Sequence, residues 1–124
     1  MNLQGQAASE LNGHRHISGS GGPLQFVRDA YASDGGKSFI CMSSTYERNG
    51  GSQQSHVMDL TPGNIVTVPR SDRTHVVTEF GLVNLKGKSI PERAKAMISL
   101  AHPDYRDDLA RDARANGLRP RSFV

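Results

Sequence analysis

The chain has 124 residues, of which 35% are hydrophobic, 6% aromatic and 22% charged, and it contains no tryptophan. This length allows one domain at most, because a hydrophobic core of about 100 to 150 residues is the usual unit. The single cysteine, Cys41, excludes an internal disulfide. The sequence has neither a signal segment nor an apolar run long enough to span a bilayer, so we expect a soluble cytoplasmic protein with a modest core.

The net charge of +3 does not indicate a nucleic-acid-binding protein, because 15 Lys and Arg residues are interspersed with 12 Asp and Glu residues. Binding to a phosphate backbone requires basic residues on one face, and binding to single strands requires aromatic platforms. The locally basic segment Arg119–Arg121 is explained by a solvated chain end. We therefore expect no nucleic acid and no membrane among the partners.

The first part of the chain predicts a strand, a loop and a helix in that order. His14 to Ser18 is a short strand candidate, and Ser18 to Gly22 is a loop. Pro23 suits the first turn of a helix, where its missing N–H has no partner to lose. The apolar residues that then recur at helical spacing are Leu24, Phe26, Val27, Ala30 and Tyr31.

The middle of the chain predicts a series of strands separated by turns. Ser33 to Gly36 is typical of a turn, and Ser38 to Thr45 of a buried strand. The polar run Tyr46 to Gln54 contains Asn49-Gly50 and predicts a surface hairpin or a flexible loop. Further short strands are predicted at Ser55–Leu60, Ile65–Val68 and His75–Glu79, with turns at Pro62–Gly63 and Arg70–Arg73.

Two helices are predicted at the end of the chain. Ser89 and Glu92 have the spacing of a capping box, so a helix begins at Ser89 and continues to about His102-Pro103. A second helix covers about Asp104 to Asn116, with Gly117 as its C-cap. Strands with helices interspersed and appended predict an α/β fold with a mixed or mainly parallel sheet covered by helices.

The glycine loop is the strongest candidate site. Its glycines allow close approach of the backbone to a ligand, and the helix that follows directs free N–H groups and partial positive charge toward anions. A tight strand-to-helix turn is the alternative. A dinucleotide fingerprint is excluded by Leu24, and a P-loop by Tyr31, because each stands where the motif requires glycine. The candidate binding residues are Gly19, Ser20, Gly21 and Gly22.

No metal site and no cysteine nucleophile are predicted. His14 and His16 would share one side of a strand, which makes half a metal site. The other possible ligands, His56, His75, His102 and Cys41, stand at no recognised ligand spacing. Cys41 lies in the middle of an apolar strand and is predicted to be a buried, inert thiol.

Glu79 follows an apolar strand and is predicted to have a structural role. A buried carboxylate requires partners. We expect it to accept backbone N–H bonds or to pair with one of three arginines, namely Arg70, Arg73 or Arg93. Arg70 and Asp72 are likewise predicted to form an ion pair that braces their loop.

The segment from Val66 to Leu109, with VTVPRSDRTHVVTEFG and LKGKSIPERAKAMISLAHPDYRDDL, resembles the C-terminal domain of the acetyl-CoA hydrolase/transferase family. This family includes 4-hydroxybutyrate and butyryl:acetate CoA-transferases. The resemblance extends in order from NLQGQAASELNGHRHISGSGG through GGKSFICMSST. In the glycine-rich segment the family usually has GGQ-x-DF, whereas this chain has Pro23 and Gln25 in place of the amide and the acid.

The resemblance implies that residues 1–124 are one partial CoA-transferase domain with a flexible tail at 118–124. The family's catalytic glutamate lies upstream, so no catalytic side chain is expected here, and Glu79 is not its counterpart. The implied contribution is a pair of backbone oxyanion donors at Gly21 and Gly22. The implied ligands are coenzyme A or acyl-CoA and small carboxylic acids, without a metal, and the mild basicity of the chain suits polyanionic CoA.

The resemblance also implies a missing N-terminal half or subunit, and a homo-oligomer. The alternative is a non-catalytic module that binds CoA or acyl-CoA, or a subunit that docks on a separately encoded N-terminal half.

Overall fold

The computed structural model describes residues 1–72 and 75–118, and these form an α/β arrangement. The strands within these ranges are short and belong to three small sheets, while the helices are longer. The strands are β1 (Leu11–Asn12), β2 (Arg15–His16), β3 (Phe39–Cys41), β4 (Thr45–Arg48), β5 (Gly51–Gln54), β6 (His75–Thr78) and β7 (Gly81–Asn84). The helices are α1 (Pro23–Ala32), α2 (Ile90–Ser99) and α3 (Pro103–Ala115).

The central sheet has the strand order β3-β6-β7 and is mixed, as predicted. Strand β3 is parallel to β6, and β6 is antiparallel to β7. Ile40, Val76 and Val83 lie opposite one another in the register and therefore share one face. We call this the inner face, because Val76 is fully buried in the core.

The core lies between the inner face of the sheet and the two C-terminal helices. Thr78 at the end of β6 donates its hydroxyl to the carbonyl of Leu100, at 2.8 Å, which ties the sheet to the end of α2. Apolar residues from α2 and α3 pack there against Leu3, near the N-terminus. The buried cluster consists of Leu3, Val76, Leu85, Ala94, Met97, Leu100, Ala101, Leu109 and Ala113.

Helix boundaries largely follow the sequence signals. Pro23 is in the first turn of α1, and Ser89 with Glu92 forms the predicted capping box of α2. Helix α2 ends at Ser99, earlier than predicted, because His102 caps the next helix by accepting the N–H of Asp104. The C-cap of α3 is Asn116, and the predicted Gly117 comes one residue later with φ +73°, the left-handed conformation that commonly ends a helix.

The polar segment between Tyr46 and Gln54 is a hairpin, β4 and β5. Its turn residues Asn49 and Gly50 have φ values of +51° and +75°, as the two-residue turn of a twisted hairpin requires. The strand predicted at His14–Ser18 is shortened to β2, which pairs with β1. Its length is limited because the pairing partner is only two residues long.

Four other strand predictions need correction. Ser38–Thr45 is divided between β3 and the start of β4. Ser55–Leu60 and Ile65–Val68 are not strands, since each makes a single bridge to the N-terminal segment, at Val57 with Asn2 and at Val68 with Ala7. Strand β7 was not predicted. Glu79 and Phe80 belong to its tight connection with β6, because Thr78 pairs directly with Gly81.

Leu118, the last described residue, packs against the core. Arg73 and the basic segment 119–124 lie outside the described residues. In the ranges that the structure describes, no helix has the length and apolarity needed to cross a membrane.

Candidate functional site

The glycine loop connects β2 to α1 and is held at its base by the backbone. The N–H groups of Ile17 and Ser18 both donate to the carbonyl of Glu10, at 2.9 and 3.2 Å. Gly21 has φ +60°, which favours glycine, and Gly22 is the N-cap of α1. Because glycine has no side chain to cap the helix, the first N–H groups of α1 are directed toward the loop.

An open cleft of about 380 Å³ lies beside this loop. Its wall includes Thr67, whose hydroxyl donates to Glu10 at 2.8 Å and accepts the N–H of Ser9 at 3.1 Å. Sequence reasoning did not find Thr67, because it is more than forty residues from the loop in the chain. The cleft is lined by Ser20, Gly21, Leu24, Gln25, Arg28, Asp29 and Thr67.

The structure therefore brings two of the four proposed binding residues, Ser20 and Gly21, to the cleft. Gly22 stands behind them at the helix terminus, where a Cβ would lie 3.0 Å from the ring of Phe26. Gly19 faces open space, since a Cβ added there would meet no atom of the described residues within 4 Å apart from its chain neighbours. The backbone of the loop therefore favours glycine at position 21, where φ is positive, but not at position 19.

Asp72 pairs with Arg28 of α1, so the predicted Arg70–Asp72 pair is wrong. The guanidinium of Arg28 donates to both carboxylate oxygens, at 2.9 and 3.3 Å. This hydrogen bond lowers the pKa of Asp72 and raises that of Arg28. Arg70 instead donates to Gln4 at 3.1 Å. The pair links α1 to the short 3₁₀ turn that contains Asp72, a contact that spacing in the sequence does not reveal.

A second cavity, of about 260 Å³, is also lined by Arg28, and its lining carries excess positive charge. Lys86 donates to the hydroxyl of Tyr31, and its ammonium lies 4.3 Å from the ring centroid. Arg93 donates to the carbonyls of Arg70 and Lys88, at 2.8 and 3.1 Å. Burial lowers the pKa of Arg93, and the nearby charge of Arg70 lowers it further. The cavity favours anions.

Glu79 lies at the carboxyl end of β6 and is anchored by Ser44. Its carboxylate accepts the backbone N–H of Ser44, at 3.0 Å to the nearer oxygen, and also the Ser44 hydroxyl. The serine hydroxyl, and then the backbone N–H groups, lower the pKa of Glu79. The prediction that Glu79 accepts a backbone N–H is confirmed. Among the described residues it pairs with neither Arg70 nor Arg93.

Cys41 is exposed, so the prediction of a buried thiol is wrong. It lies on the edge strand β3 and faces away from Ile40 and the core. With Glu79 it borders a shallow depression of about 430 Å³ at the carboxyl ends of the parallel strands, where α/β sheets commonly bind ligands. An apolar run predicts a strand, but it does not show which face other elements cover.

The histidines do not assemble a metal site in the part of the chain described: no group of three or more His, Cys, Asp or Glu side chains is positioned to hold an ion. His14 and His16 are exposed on the first hairpin. His56 is fully buried, and neither ring nitrogen has a hydrogen-bond partner among the described residues. Burial lowers its pKa to about 4, and the N-terminal ammonium adds to this effect.

Comparison with known proteins gives a consistent result. The model of the acetyl-CoA hydrolase/transferase C-terminal domain matches residues 1–113. The butyryl-CoA:acetate CoA-transferase of Anaerostipes caccae is 47% identical over 91% of this chain and 26% of its own length. The probable butyrate:acetyl-CoA coenzyme A-transferase of Syntrophomonas wolfei is 49% identical over 92% and 26%. The crystal structure of RipA from Yersinia pestis superposes with a TM-score of 0.84 at 45% identity, covering 95% of this chain and 26% of that one. The chain spans about a quarter of the length of these relatives.

Proposed function

This chain belongs to the acetyl-CoA hydrolase/transferase family, and we propose that it acts as the C-terminal part of an enzyme that moves CoA between carboxylic acids. The nucleophilic glutamate of that enzyme lies outside this chain. Support comes from the relatives named as CoA-transferases, which it matches over about 26% of their length. The substrates in this proposal are acyl-CoA and small carboxylic acids, and the homo-oligomer remains a prediction.

The proposed reaction is covalent catalysis by a carboxylate. The glutamate oxygen attacks the thioester carbonyl and CoA leaves as thiolate, which gives an acyl-glutamyl anhydride. The thiolate then attacks the glutamyl carbonyl, the first acid leaves as carboxylate, and a glutamyl-CoA thioester remains for reversal with a second acid. Every one of these steps passes through a tetrahedral centre with a negatively charged oxygen, which requires hydrogen-bond donors.

The glycine loop is the proposed source of those donors. Its backbone conformation at Gly21, with φ +60° beside an open cleft, is the observation that carries the proposal. The N–H groups of Gly21 and Gly22 would serve as the donors, each worth about 3 kcal/mol of barrier lowering. The surface Gly19–Gly22, with the hydroxyl of Ser20, would contact the CoA thioester. The N-terminus of α1 adds partial positive charge behind the loop.

The two departures from the family pattern leave this proposal intact. Pro23 occupies the first turn of α1, where it forfeits no hydrogen bond. Gln25 places a neutral amide in the cleft where the family has an acid, so Asp29 is the acidic side chain that lines it within the described residues. The backbone donors do not depend on either side chain.

Two matched glycine variants test the donors. The enzyme for the test is a chimera in which this chain replaces the matched region of the A. caccae transferase. Gly21→Ala forces a side chain into a left-handed conformation, and we expect kcat to fall about 10²-fold, as for one lost donor. Gly51→Ala, on the polar hairpin outside the proposed site, has a φ outside the left-handed region and meets only the Arg48 carbonyl at an ordinary 3.8 Å, so it should retain the parental kcat.

The controls are the isolated chain and equilibrium binding of CoA. Acetyl-CoA turnover by the 124 residues alone would contradict a nucleophile outside the chain. Equal losses in Gly51→Ala and Gly21→Ala would contradict the role of the loop conformation. A chimera that binds CoA without turnover would favour the alternative, a non-catalytic binding module.

A further inference from the structure

The central sheet has a second face, opposite the core, that consists largely of uncharged and apolar side chains. The register aligns Phe39 with His75, and Cys41 with Val77 and Leu82. Directly opposed residues in neighbouring strands project from the same side of a sheet. We call this the outer sheet face, formed by Phe39, Cys41, His75, Val77, Leu82 and Asn84.

This face is uncovered although its composition is that of an interior. Phe39 is 50% exposed and Leu82 is 54% exposed, and Cys41, two residues beyond Phe39 on β3, is exposed as well. The ring of Phe39 rests on that of His75, with centroids 4.9 Å apart, so the aromatic surface is continuous across two strands. Single exposed apolar residues are ordinary, but a contiguous patch that crosses a sheet marks a contact surface.

The three strands are also apolar on both faces in sequence. Strand β3 reads Phe-Ile-Cys, and the middle residues of β6 and β7 are Val-Val and Leu-Val. Such runs are typical of strands buried on both sides, and parallel pairs such as β3 and β6 occur mainly in covered sheets. The hairpin formed by β4 and β5 is a contrast within the same chain, since its sequences TYER and GSQQ are polar, as solvent requires.

We infer that the outer sheet face is the surface on which the preceding part of the polypeptide packs, the part that makes up about three quarters of the relatives. This inference rests on the proposed function, because it takes this chain as the C-terminal part of such an enzyme. The matched region covers 26% of the A. caccae transferase, so its family position leaves a large preceding segment to act as cover.

The cover would also close the depression beside Glu79. Cys41 and Val77 belong to the outer sheet face and line that depression as well. A segment seated over them therefore lies next to the carboxylate that Ser44 anchors. The junction between this chain and the covering segment would thus contain the Glu79 carboxylate, which Ser44 orients. The depression that now opens to solvent beside the outer sheet face would become an enclosed site.

Cys41 makes the inference directly measurable, because it is the single cysteine of the chain. The experiment compares maleimide labelling of Cys41 in the isolated chain and in the chimera with the preceding segment of the A. caccae transferase, read by mass spectrometry of the Cys41 peptide. We expect labelling at least about tenfold slower in the chimera, because it then requires local opening. Equal rates would overturn the inference.

A matched pair of substitutions provides a second measurement. Phe39→Lys changes the outer sheet face, and Tyr46→Lys changes an aromatic residue of the same exposure, 49% against 50%, on the polar hairpin. Both isolated variants should keep the urea midpoint of the parent. In the chimera, we expect Phe39→Lys to lose soluble folded protein while Tyr46→Lys does not, because a buried unpaired ammonium is strongly unfavourable. Equal tolerance of both would contradict the inference.

The remaining outcomes distinguish a failure of this inference from a failure of the proposed function. If Cys41 is already protected in the isolated chain, and dilution restores labelling as a dimer dissociates, a second copy covers the face and the inference is wrong. A chimera with protected Cys41 and no turnover would overturn the proposed CoA transfer and support this surface. A chimera that turns over substrate while Cys41 stays freely reactive would support the proposed CoA transfer and overturn the inference about the outer sheet face.

Discussion

His56 provides a sharp test of the packing near the N-terminus. Its ring is fully buried, and neither nitrogen has a hydrogen-bond partner among the described residues. His56→Leu replaces the ring with an apolar side chain of similar volume. Removing an unsatisfied buried polar group is close to neutral or stabilising. We therefore expect the variant to be at least as stable as the parent at pH 7.5.

The larger effect is on the pH dependence. Burial holds the pKa of His56 at about 4 in the folded protein, with a further contribution from the ammonium of Met1 and an opposing one from Glu79, against an ordinary value of 6.5. Between these values the unfolded chain binds a proton that the folded chain does not, so stability falls as the pH falls from about 6.5 to about 4. This pKa difference corresponds to about 3 kcal/mol.

The assay is urea unfolding at a series of pH values for the parent, His56→Leu and His16→Leu. We expect the parent to lose about 3 kcal/mol more than His56→Leu between pH 7.5 and pH 4, while His16→Leu, which changes an exposed residue, follows the parent. Comparing variants cancels the titration of the carboxylates. Identical pH profiles for the parent and His56→Leu would refute the account of a buried neutral ring.

Two further predictions concern the core and the α1 contact. Leu109→Ala should lower the free energy of unfolding by about 2–5 kcal/mol, because Leu109 is fully buried. Leu82→Ala, at an exposed position, should change it by less than about 1 kcal/mol in the isolated chain. Urea titration measures both free energies, and equal effects would contradict the assignment of the core. Arg28→Gln should raise the pKa of Asp72 toward its ordinary range, which removes the stability that this carboxylate contributes above its unfolded-state pKa and that the parent loses as the pH falls. Carboxyl NMR titration measures the change, and an unchanged pKa would show that the ion pair is not formed.

Local signals in the sequence predicted the helices well. Pro23, the Ser89–Glu92 capping box and Gly117 each act through their own backbone, so the physical cause is contained in a few neighbouring residues. The Asn49-Gly50 hairpin succeeded for the same reason. Strands depend on partners elsewhere in the chain. The strand predicted at Ser55–Leu60 was therefore wrong, since the N-terminal segment pairs with it at one residue only, Val57 with Asn2.

The candidate site likewise combines features that local sequence signals predict with residues that they do not reveal. The glycine loop and its position before a helix were predictable, because glycine and proline mark local conformation. Thr67 and Asp72 were not, since they reach the loop and α1 across more than forty residues through hydrogen bonds to Glu10 and Arg28. The exposure of Cys41 was not predictable either, because periodicity identifies a face without saying what covers it.

The central sheet and helix α1 differ in how firmly the described residues hold them. The central sheet with α2 and α3 has a continuous buried cluster of its own. Helix α1 has one buried apolar residue, Val27, and an exposed ion pair between Arg28 and Asp72, which solvent and salt weaken. Phe26 on this helix is 77% exposed. The glycine loop precedes this weakly held helix, so its conformation is less firmly held than that of the central sheet.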